Sequence, residues 1–156
     1  MKAAVLRDFF LGLRTVEELR SDLEGTTVQR GHASYEHTMA DLDAEFTVEP
    51  HHLVKLCDAA IAGDISPDVL AAIAFGVIAS DYFIWDTDSE IGKRVGVTLY
   101  DWSAPEINFA LNRETAAKFR HRLLTGENTL GRADHAGRPR PRTIGYRSAD
   151  PGKDSA

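Results

Sequence analysis

The residues of this chain best suited to chemistry lie in the segment SDYFIWDTDSE, residues 80–90, where Asp81, Asp86, Asp88 and Glu90 are interspersed with aromatic side chains. Carboxylates in such a segment can hold a divalent cation, transfer protons, cap a helix, or pair with basic side chains of a partner. Each of these uses makes a different demand on the neighbouring residues.

A calcium loop is the first possibility, because Asp86, Asp88 and Glu90 have the alternate spacing of its first three ligands. That loop requires glycine at its sixth position and glutamate at its twelfth. Ile91 and Val97 occupy those positions here. The spacing therefore excludes an EF-hand.

A magnesium site stays open, because Mg²⁺ needs only one or two carboxylates besides water and substrate phosphates. It would make the protein a divalent-metal-dependent hydrolase or nucleotide-handling enzyme, which is our second hypothesis. The carboxylates involved would be Asp86, Asp88, Asp101 and Glu106. The sequence has no phosphate-binding glycine loop, no HExxH and no G-x-S-x-G to accompany them.

Helix capping accounts for part of the acidic segment. Thr87 to Glu90 reads Thr-Asp-Ser-Glu, which predicts a capping box at the start of a helix. Acidic groups in a first turn are stabilised by the positive end of the helix dipole. Capping explains Asp88 and Glu90 but leaves Asp81, Asp86 and the aromatic residues beside them unexplained.

Binding of a basic protein explains the remaining residues, because aromatic anchors ringed by charge are typical of protein-binding hot spots. A second acidic and aromatic cluster follows in LYDWSAPEINFALN, residues 99–112. If the two clusters meet in space, they form one acidic, aromatic face; the alternative is that both tryptophans belong to the core. The candidate partner-binding residues are Asp81, Tyr82, Trp85, Asp86, Asp88, Asp101, Trp102 and Glu106.

The charge distribution favours the same kind of partner. The net charge is −6, and residues 1–126 carry 12 Lys and Arg against 20 Asp and Glu, whereas residues 127–156 carry 6 against 4. An acidic body repels a phosphate backbone, since nucleic-acid affinity depends on Lys and Arg replacing counterions. We therefore expect a basic protein partner and no direct binding of nucleic acid.

The secondary structure around these residues is predicted to be helical. Apolar spacing and caps predict helices over residues 2–12 and 15–23, from Pro50 to Gly63, over 66–80, and from Asn112 to Gly126. Residues 26–47 read as a loop with a short helix near 37–43. Residues 90–102 are ambiguous: we predict a helix, and the alternative is an α+β fold in which residues 93–100 form a strand, with 45–48 as its candidate partner.

The sequence therefore predicts an all-α bundle of five or six helices, with the apolar helix near residues 66–80 at its buried centre. Residues 1–126 are expected to form this helical domain and residues 127–156 a disordered tail, because the latter are rich in Gly, Pro, Arg and Asp. No apolar run is long enough to span a membrane and no export signal is visible, so we expect a cytoplasmic protein. Cys57, the only cysteine, is expected to be a buried apolar residue without a disulfide or a metal role.

The segments FGVIASDYFIWD (75–86) and LYDWSAPEINFALNRET (99–115) give the chain a family likeness. It resembles the small, acidic, mostly helical immunity proteins that bacteria encode beside colicin-like and polymorphic toxins. The likeness covers roughly residues 46–125. It consists of similar short segments and not of a diagnostic motif, so no family binding residue is transferred to this chain. It implies an inhibitor without enzymatic activity, which binds a basic toxin domain, often a nuclease, in the cytoplasm of the producing cell.

Overall fold

The computed structural model describes residues 1–30 and 42–136, and of residues 24–30 it describes the backbone alone. This part of the chain contains six α-helices, which confirms the predicted all-α class. They are α1 (Ala3–Phe10), α2 (Val16–Arg30), α3 (Pro50–Ala62), α4 (Pro67–Ala79), α5 (Glu90–Ser103) and α6 (Arg113–Thr125). Two short strands, β1 (Phe46–Thr47) and β2 (Phe83–Ile84), pair in parallel. The alternative strand at 93–100 is wrong, since those residues lie within α5.

The predicted helix starts at Thr15, Ser66 and Asn112 are confirmed by their hydrogen bonds. The Thr15 amide donates to the Glu18 carboxylate at 2.9 Å, and the Glu18 amide donates back to the Thr15 hydroxyl at 3.2 Å. Ser66 Oγ accepts from the Val69 amide, and Asn112 Oδ1 accepts from the Thr115 amide. Each cap satisfies amides that the first turn leaves without a helical partner.

The helix ends agree with the sequence at two glycines and differ at a third. Gly63 and Gly126 follow α3 and α6 with φ values of +83° and +84°, the left-handed conformation that glycine adopts without steric cost. By contrast, α2 does not end near residue 23 as predicted but continues through Gly25 to Arg30. A glycine inside a helix costs only about 1 kcal/mol relative to alanine, which is too little to end one by itself. The helix predicted near 37–43 lies largely outside the described residues.

The core lies where the two main helix pairs meet. α3 packs chiefly against α6, and α4 against α5, while α3 also contacts α4 and α5. α4 buries Leu70, Ile73 and Val77, as expected of the apolar helix, but leaves Phe75 39% exposed. Cys57 on α3 is fully buried, and burial raises the pKa of its thiol to about 12, so it behaves as the apolar residue expected.

The strand pair connects the loop before α3 with the loop after α4. The Phe46 amide donates to the carbonyl of Tyr82, and the Val48 amide donates to that of Ile84, both at 2.7 Å. Phe83 is buried, with its ring 5.8 Å from Phe46 and 6.3 Å from Phe10. The start of the acidic segment is thereby fixed to the body of the protein.

The predicted tail boundary at residue 127 is wrong. Residues 127–136 pack on the body, where Leu130 is buried and Arg132–Asp134 form a 3₁₀ turn. Asp134 pairs with Lys118 of α6 at 2.9 Å, and His135 bridges to Phe109. Ten residues with few apolar side chains are ordered because their polar groups find partners on α6 and on the loop before it. Residues 137–156 of the predicted tail lie outside the described residues.

No helix in the described ranges, 1–30 and 42–136, combines the length and apolarity needed to cross a membrane.

Candidate protein-binding surface

The acidic turn, which we define as residues 81–89 between α4 and α5, rests on two glycines of α5. A methyl group added to Gly92 would overlap the backbone oxygen of Asp86, and one added to Gly96 would lie 2.8 Å from Trp85 Nε1. Both contacts are shorter than side chains tolerate, so the close approach depends on the absence of side chains at these two positions. These two glycines, which have low helix propensity, therefore support the acidic turn.

The end of the turn is held by its own polar groups. Asp86 Oδ1 accepts from the Asp88 amide at 2.9 Å, and Ser89 Oγ accepts from the Gly92 amide at 3.0 Å. The bond from the Asp88 amide, followed by that from Ser89, lowers the pKa of Asp86, which stays ionised at neutral pH. Ser89 is thus the N-cap of α5, and the capping box predicted for Thr87 and Glu90 is wrong.

The acidic side chains of this region are exposed and have no basic partner among the described residues. Asp81, Asp86, Asp88 and Glu90 all lie at the surface. None of them forms an ion pair with a basic side chain of the described residues. Their charges are therefore available to an external cation.

An apolar groove of about 420 Å³ adjoins the turn. Its apolar surface comes mainly from the half-buried Trp85 together with Val97 and Tyr100, which are 49% and 56% exposed. We call it the outer groove; it is lined by Trp85, Thr87, Lys93, Gly96, Val97, Tyr100 and Asp101. The structure thus brings part of the second predicted cluster, Asp101, to the same surface as Trp85.

Asp101 is engaged with Arg122 of α6. The Arg122 Nη2 group donates to Asp101 Oδ2 at 2.8 Å and to Thr98 Oγ1 at 3.0 Å. The two charged side chains are 9% and 15% exposed, so most of their hydration is lost. Asp101 therefore lies at the groove, but its charge is already neutralised within the protein.

Three of the predicted residues lie outside the outer groove. The prediction that Trp102 belongs to the exposed binding surface is wrong. Trp102 is fully buried, with its ring 5.8 Å from that of Phe119. Glu106 is exposed but lines a separate hollow with Asp68 and Phe75. Tyr82 is half-buried against the core beside Phe83, at the beginning of the turn rather than in the groove.

Val97 and Tyr100 were missed by sequence reasoning. The predicted apolar stripe of α5 runs from Ile91 through Val95 and Leu99 to Trp102; Ile91 is 46% exposed, and the other three are fully buried. Val97 and Tyr100 lie three residues apart on the other side of this helix, so they fall on its solvent face. A helical projection of residues 90–103 places Val97 and Tyr100 opposite the apolar stripe, so their exposure could have been predicted. The same projection predicts that Trp102 is buried.

The carboxylates of the metal hypothesis are not gathered in one place. Asp101 pairs with Arg122, and Glu106 lines another hollow than the outer groove. Across residues 1–30 and 42–136, no three His, Cys, Asp or Glu side chains are close enough together to hold a metal ion. The structure gives the second hypothesis no site in this part of the chain.

Comparison of the chain with protein-family models, with curated proteins and with solved structures gives no match.

Proposed function

We propose that this protein is an inhibitor without enzymatic activity that binds a cationic protein domain through the acidic turn and the outer groove. One observation carries the proposal: exposed carboxylates without ion-pair partners in the described residues stand beside exposed apolar and aromatic side chains. Hot spots of protein interfaces combine such anchors with charged surroundings. A surface of this composition suits a partner that presents Lys or Arg around an apolar side chain.

The two parts of this surface would contribute differently to binding. Carboxylates at the rim of an interface mainly raise the association rate and the salt dependence of binding. Aromatic and aliphatic anchors mainly slow dissociation, because their burial is lost when the complex separates. The close contact of the acidic turn with Gly92 and Gly96 holds the turn beside the outer groove before binding. This lowers the entropy cost of association.

The toxin-immunity role is the specific form of this proposal. It is supported by the net charge of −6 and by the likeness of residues 46–125 to small acidic immunity proteins. The partner would be a basic toxin domain, such as a nuclease, and binding would neutralise it in the cytoplasm of the producing bacterium. Basic nuclease domains are suitable partners because their positive surfaces, which attract phosphates, also attract carboxylates.

The test measures binding to a basic toxin domain encoded beside this chain. Asp86→Asn with Asp88→Asn should lower the association rate about tenfold at low salt and much less at high salt, because screening removes the steering. Val97→Ser with Tyr100→Ser should mainly raise the dissociation rate, by about tenfold or more. Stopped-flow and surface-binding kinetics measure both rates.

The matched control is Glu114→Gln, an exposed acid on α6 that lines neither the turn nor the groove. It should leave both rates nearly unchanged. Growth of cells that express the toxin domain together with each variant measures inhibition in the same series. Equal kinetics and equal growth for all three variants and the unmodified protein would contradict the proposal.

A further inference from the structure

A cavity of about 250 Å³ lies on another part of the molecule, where the end of α3 meets the starts of α4 and α6. It exceeds the roughly 150 Å³ of engineered apolar cavities that take up benzene. Its walls are largely apolar and include Ala60, Ile65, Leu70, Leu111 and Phe119. A concave apolar site with a few polar groups at its edge is the usual form of a small-molecule site.

The neutral polar side chains of this cavity are already used by the protein. Ser66 Oγ accepts from the Val69 amide, and Asn112 Oδ1 accepts from the Thr115 amide. Thr115 Oγ1 donates to the Ala110 carbonyl at 2.7 Å. No carboxylate, histidine or lysine of the described residues lines the cavity, so Arg113 is its one charged group there.

A comparison with Arg94 shows what is unusual about Arg113. Both guanidinium groups lie 2.8 Å from the position of a methyl group added to a helix-ending glycine, Arg94 at Gly126 and Arg113 at Gly63. Arg94 donates hydrogen bonds to the carbonyls of Leu123 and Leu124 at that helix end. The Arg113 side chain makes no hydrogen bond or ion pair with any of the described residues. Its donors therefore remain available at the cavity wall.

We propose that this cavity binds a compact apolar monocarboxylate, whose hydrocarbon part fills the apolar interior and whose carboxylate pairs with Arg113. A planar guanidinium presents paired donors that match a carboxylate, and such charge-assisted hydrogen bonds are the strong ones. The starts of α4 and α6 add the positive ends of two helix dipoles near the same cavity. The cavity shares no lining residue with the outer groove and none with the acidic turn, so binding there does not depend on the protein-binding surface.

The experiment uses octanoate below its micelle-forming concentration as the probe, with octanamide as its uncharged counterpart. Titration of the full chain is followed by calorimetry and by the NMR signals of the Leu70 and Ala116 methyl groups. We expect saturable binding of octanoate. The affinity for octanamide should be at least about tenfold lower, because hydrogen bonds to a charged group are the stronger ones. Absence of saturable binding at millimolar octanoate would overturn the proposal.

Two variants locate the site. Arg113→Gln should reduce octanoate affinity about tenfold and leave octanamide affinity unchanged, since only the charged pairing is lost. The control Lys93→Gln removes an exposed cation of the outer groove and should change neither. Arg113 is exposed, so Arg113→Gln is expected to fold, and circular dichroism checks this. Equal octanoate affinity of Arg113→Gln and the unmodified protein would overturn the assignment.

Ala60→Leu tests the interior by filling part of the cavity, and it should weaken octanoate and octanamide alike. If this variant fails to fold, Arg113→Gln decides the matter alone. If it folds and binds both molecules as well as the unmodified protein, the cavity is not their binding site and the proposal fails.

Discussion

His52 joins the start of α3 to two other parts of the molecule. Its Nδ1 atom accepts from the Glu49 amide at 2.8 Å, so that nitrogen carries no proton. Its ring lies 5.2 Å from that of Phe10 and 5.0 Å from that of Phe46. Burial, with smaller contributions from His51 and Lys55, lowers the pKa of His52 to about 4. The folded protein therefore keeps this histidine neutral.

This pKa predicts acid sensitivity. The contribution of His52 to stability is complete above its unfolded pKa, about 6.5, because neither state then binds the proton. As the pH falls towards the folded pKa of about 4, the unfolded state binds a proton that the folded state does not. We expect a loss of about 3 kcal/mol in the free energy of unfolding over this range.

Urea unfolding between pH 7 and pH 4 measures this loss. The comparison variant is His52→Asn, which keeps an acceptor oxygen near Nδ1 but takes up no proton in this range. Its free energy of unfolding should start lower, because ring contacts are lost, and should vary less between those pH values. Parallel curves for the two proteins would show that His52 does not cause the acid sensitivity.

Among the elements, α5 determines the position of the acidic turn through the two glycines that contact it, Gly92 and Gly96. Gly92 faces a backbone oxygen, which has little room to move, whereas Gly96 faces the indole of Trp85. Gly92→Ala should lower the free energy of unfolding by about 1–2 kcal/mol, because the displacement of the turn outweighs the gain in helix propensity. Gly96→Ala should cost less, since a side chain shifts more easily than a backbone.

The control for this prediction is Gly131→Ala, which adds a methyl group into open space and should change stability by less than about 0.5 kcal/mol. Urea unfolding gives the stabilities, and near-ultraviolet circular dichroism reports the environment of Trp85. A Gly92→Ala variant that is more stable than the unmodified protein would show that the turn does not depend on this contact.

The Asp101–Arg122 pair is the charged link between α5 and α6. Asp101→Ala would leave Arg122 largely buried without its carboxylate, and should lower the free energy of unfolding by about 3 kcal/mol. Asp58 pairs with Arg120 at a similar distance, 2.7 Å, but these side chains are 55% and 43% exposed. Asp58→Ala should therefore cost less than about 1 kcal/mol.

Thermal and urea unfolding of both variants check this difference. Equal losses would show that burial does not govern the strength of these two pairs. The destabilisation also matters for binding experiments. If Asp101→Ala lost partner binding, destabilisation of α5, the helix that forms the groove, could be the cause. The binding test for that reason uses Asp86 and Asp88, which are exposed.

At the scale of the whole molecule, residues 127–136 close one side of the bundle. Burial alone would raise the pKa of Asp134, but the Gly131 amide and Lys118 lower it overall, which keeps the carboxylate ionised beside Lys118. Leu130 adds buried apolar surface, and the Ala110 amide donates to the Asp134 carbonyl at 2.9 Å. This segment therefore belongs to the folded domain.

Truncation tests this assignment. A chain that ends at residue 126 should unfold several degrees below a chain that ends at residue 136, since loss of a buried leucine and an ion pair costs about 2–4 kcal/mol. The longer truncation product is the matched control, because the two differ only in residues 127–136. Calorimetry measures both midpoints, and coincident midpoints would place the domain boundary at Gly126 after all.

Helix positions could be predicted because their signals are local. Thr15, Ser66 and Asn112 cap helices through hydrogen bonds to residues three positions away, and Gly63 and Gly126 end helices through their own backbone conformation. The buried stripe of α5 likewise follows from helical spacing alone. Such features depend on neighbours in the chain, so the sequence contains what is needed to predict them.

Part of the candidate surface could be predicted as well. The exposed acids of residues 81–90 and the half-buried Trp85 lie where composition suggested, whereas Trp102 lies inside and Glu106 lines a different hollow. Trp102 and Glu106 were assigned to the surface wrongly because they were grouped with the acidic turn by composition alone. Helical spacing places Trp102 on the buried side of α5. The pairing of Asp101 with Arg122 links residues 21 positions apart, which composition cannot reveal.

The residue order alone predicts the all-α class, most helix boundaries, the burial of Cys57 and the acidic character of the surface. Three features come from packing between elements: Gly92 and Gly96 support the acidic turn, Val97 and Tyr100 complete the outer groove, and the Arg113 side chain has no hydrogen bond to the described residues like those of Arg94. The range of the interactions explains this division. Caps and apolar periodicity act within one or two helical turns, whereas grooves, close approaches and ion pairs form between elements whose relative positions are set by packing.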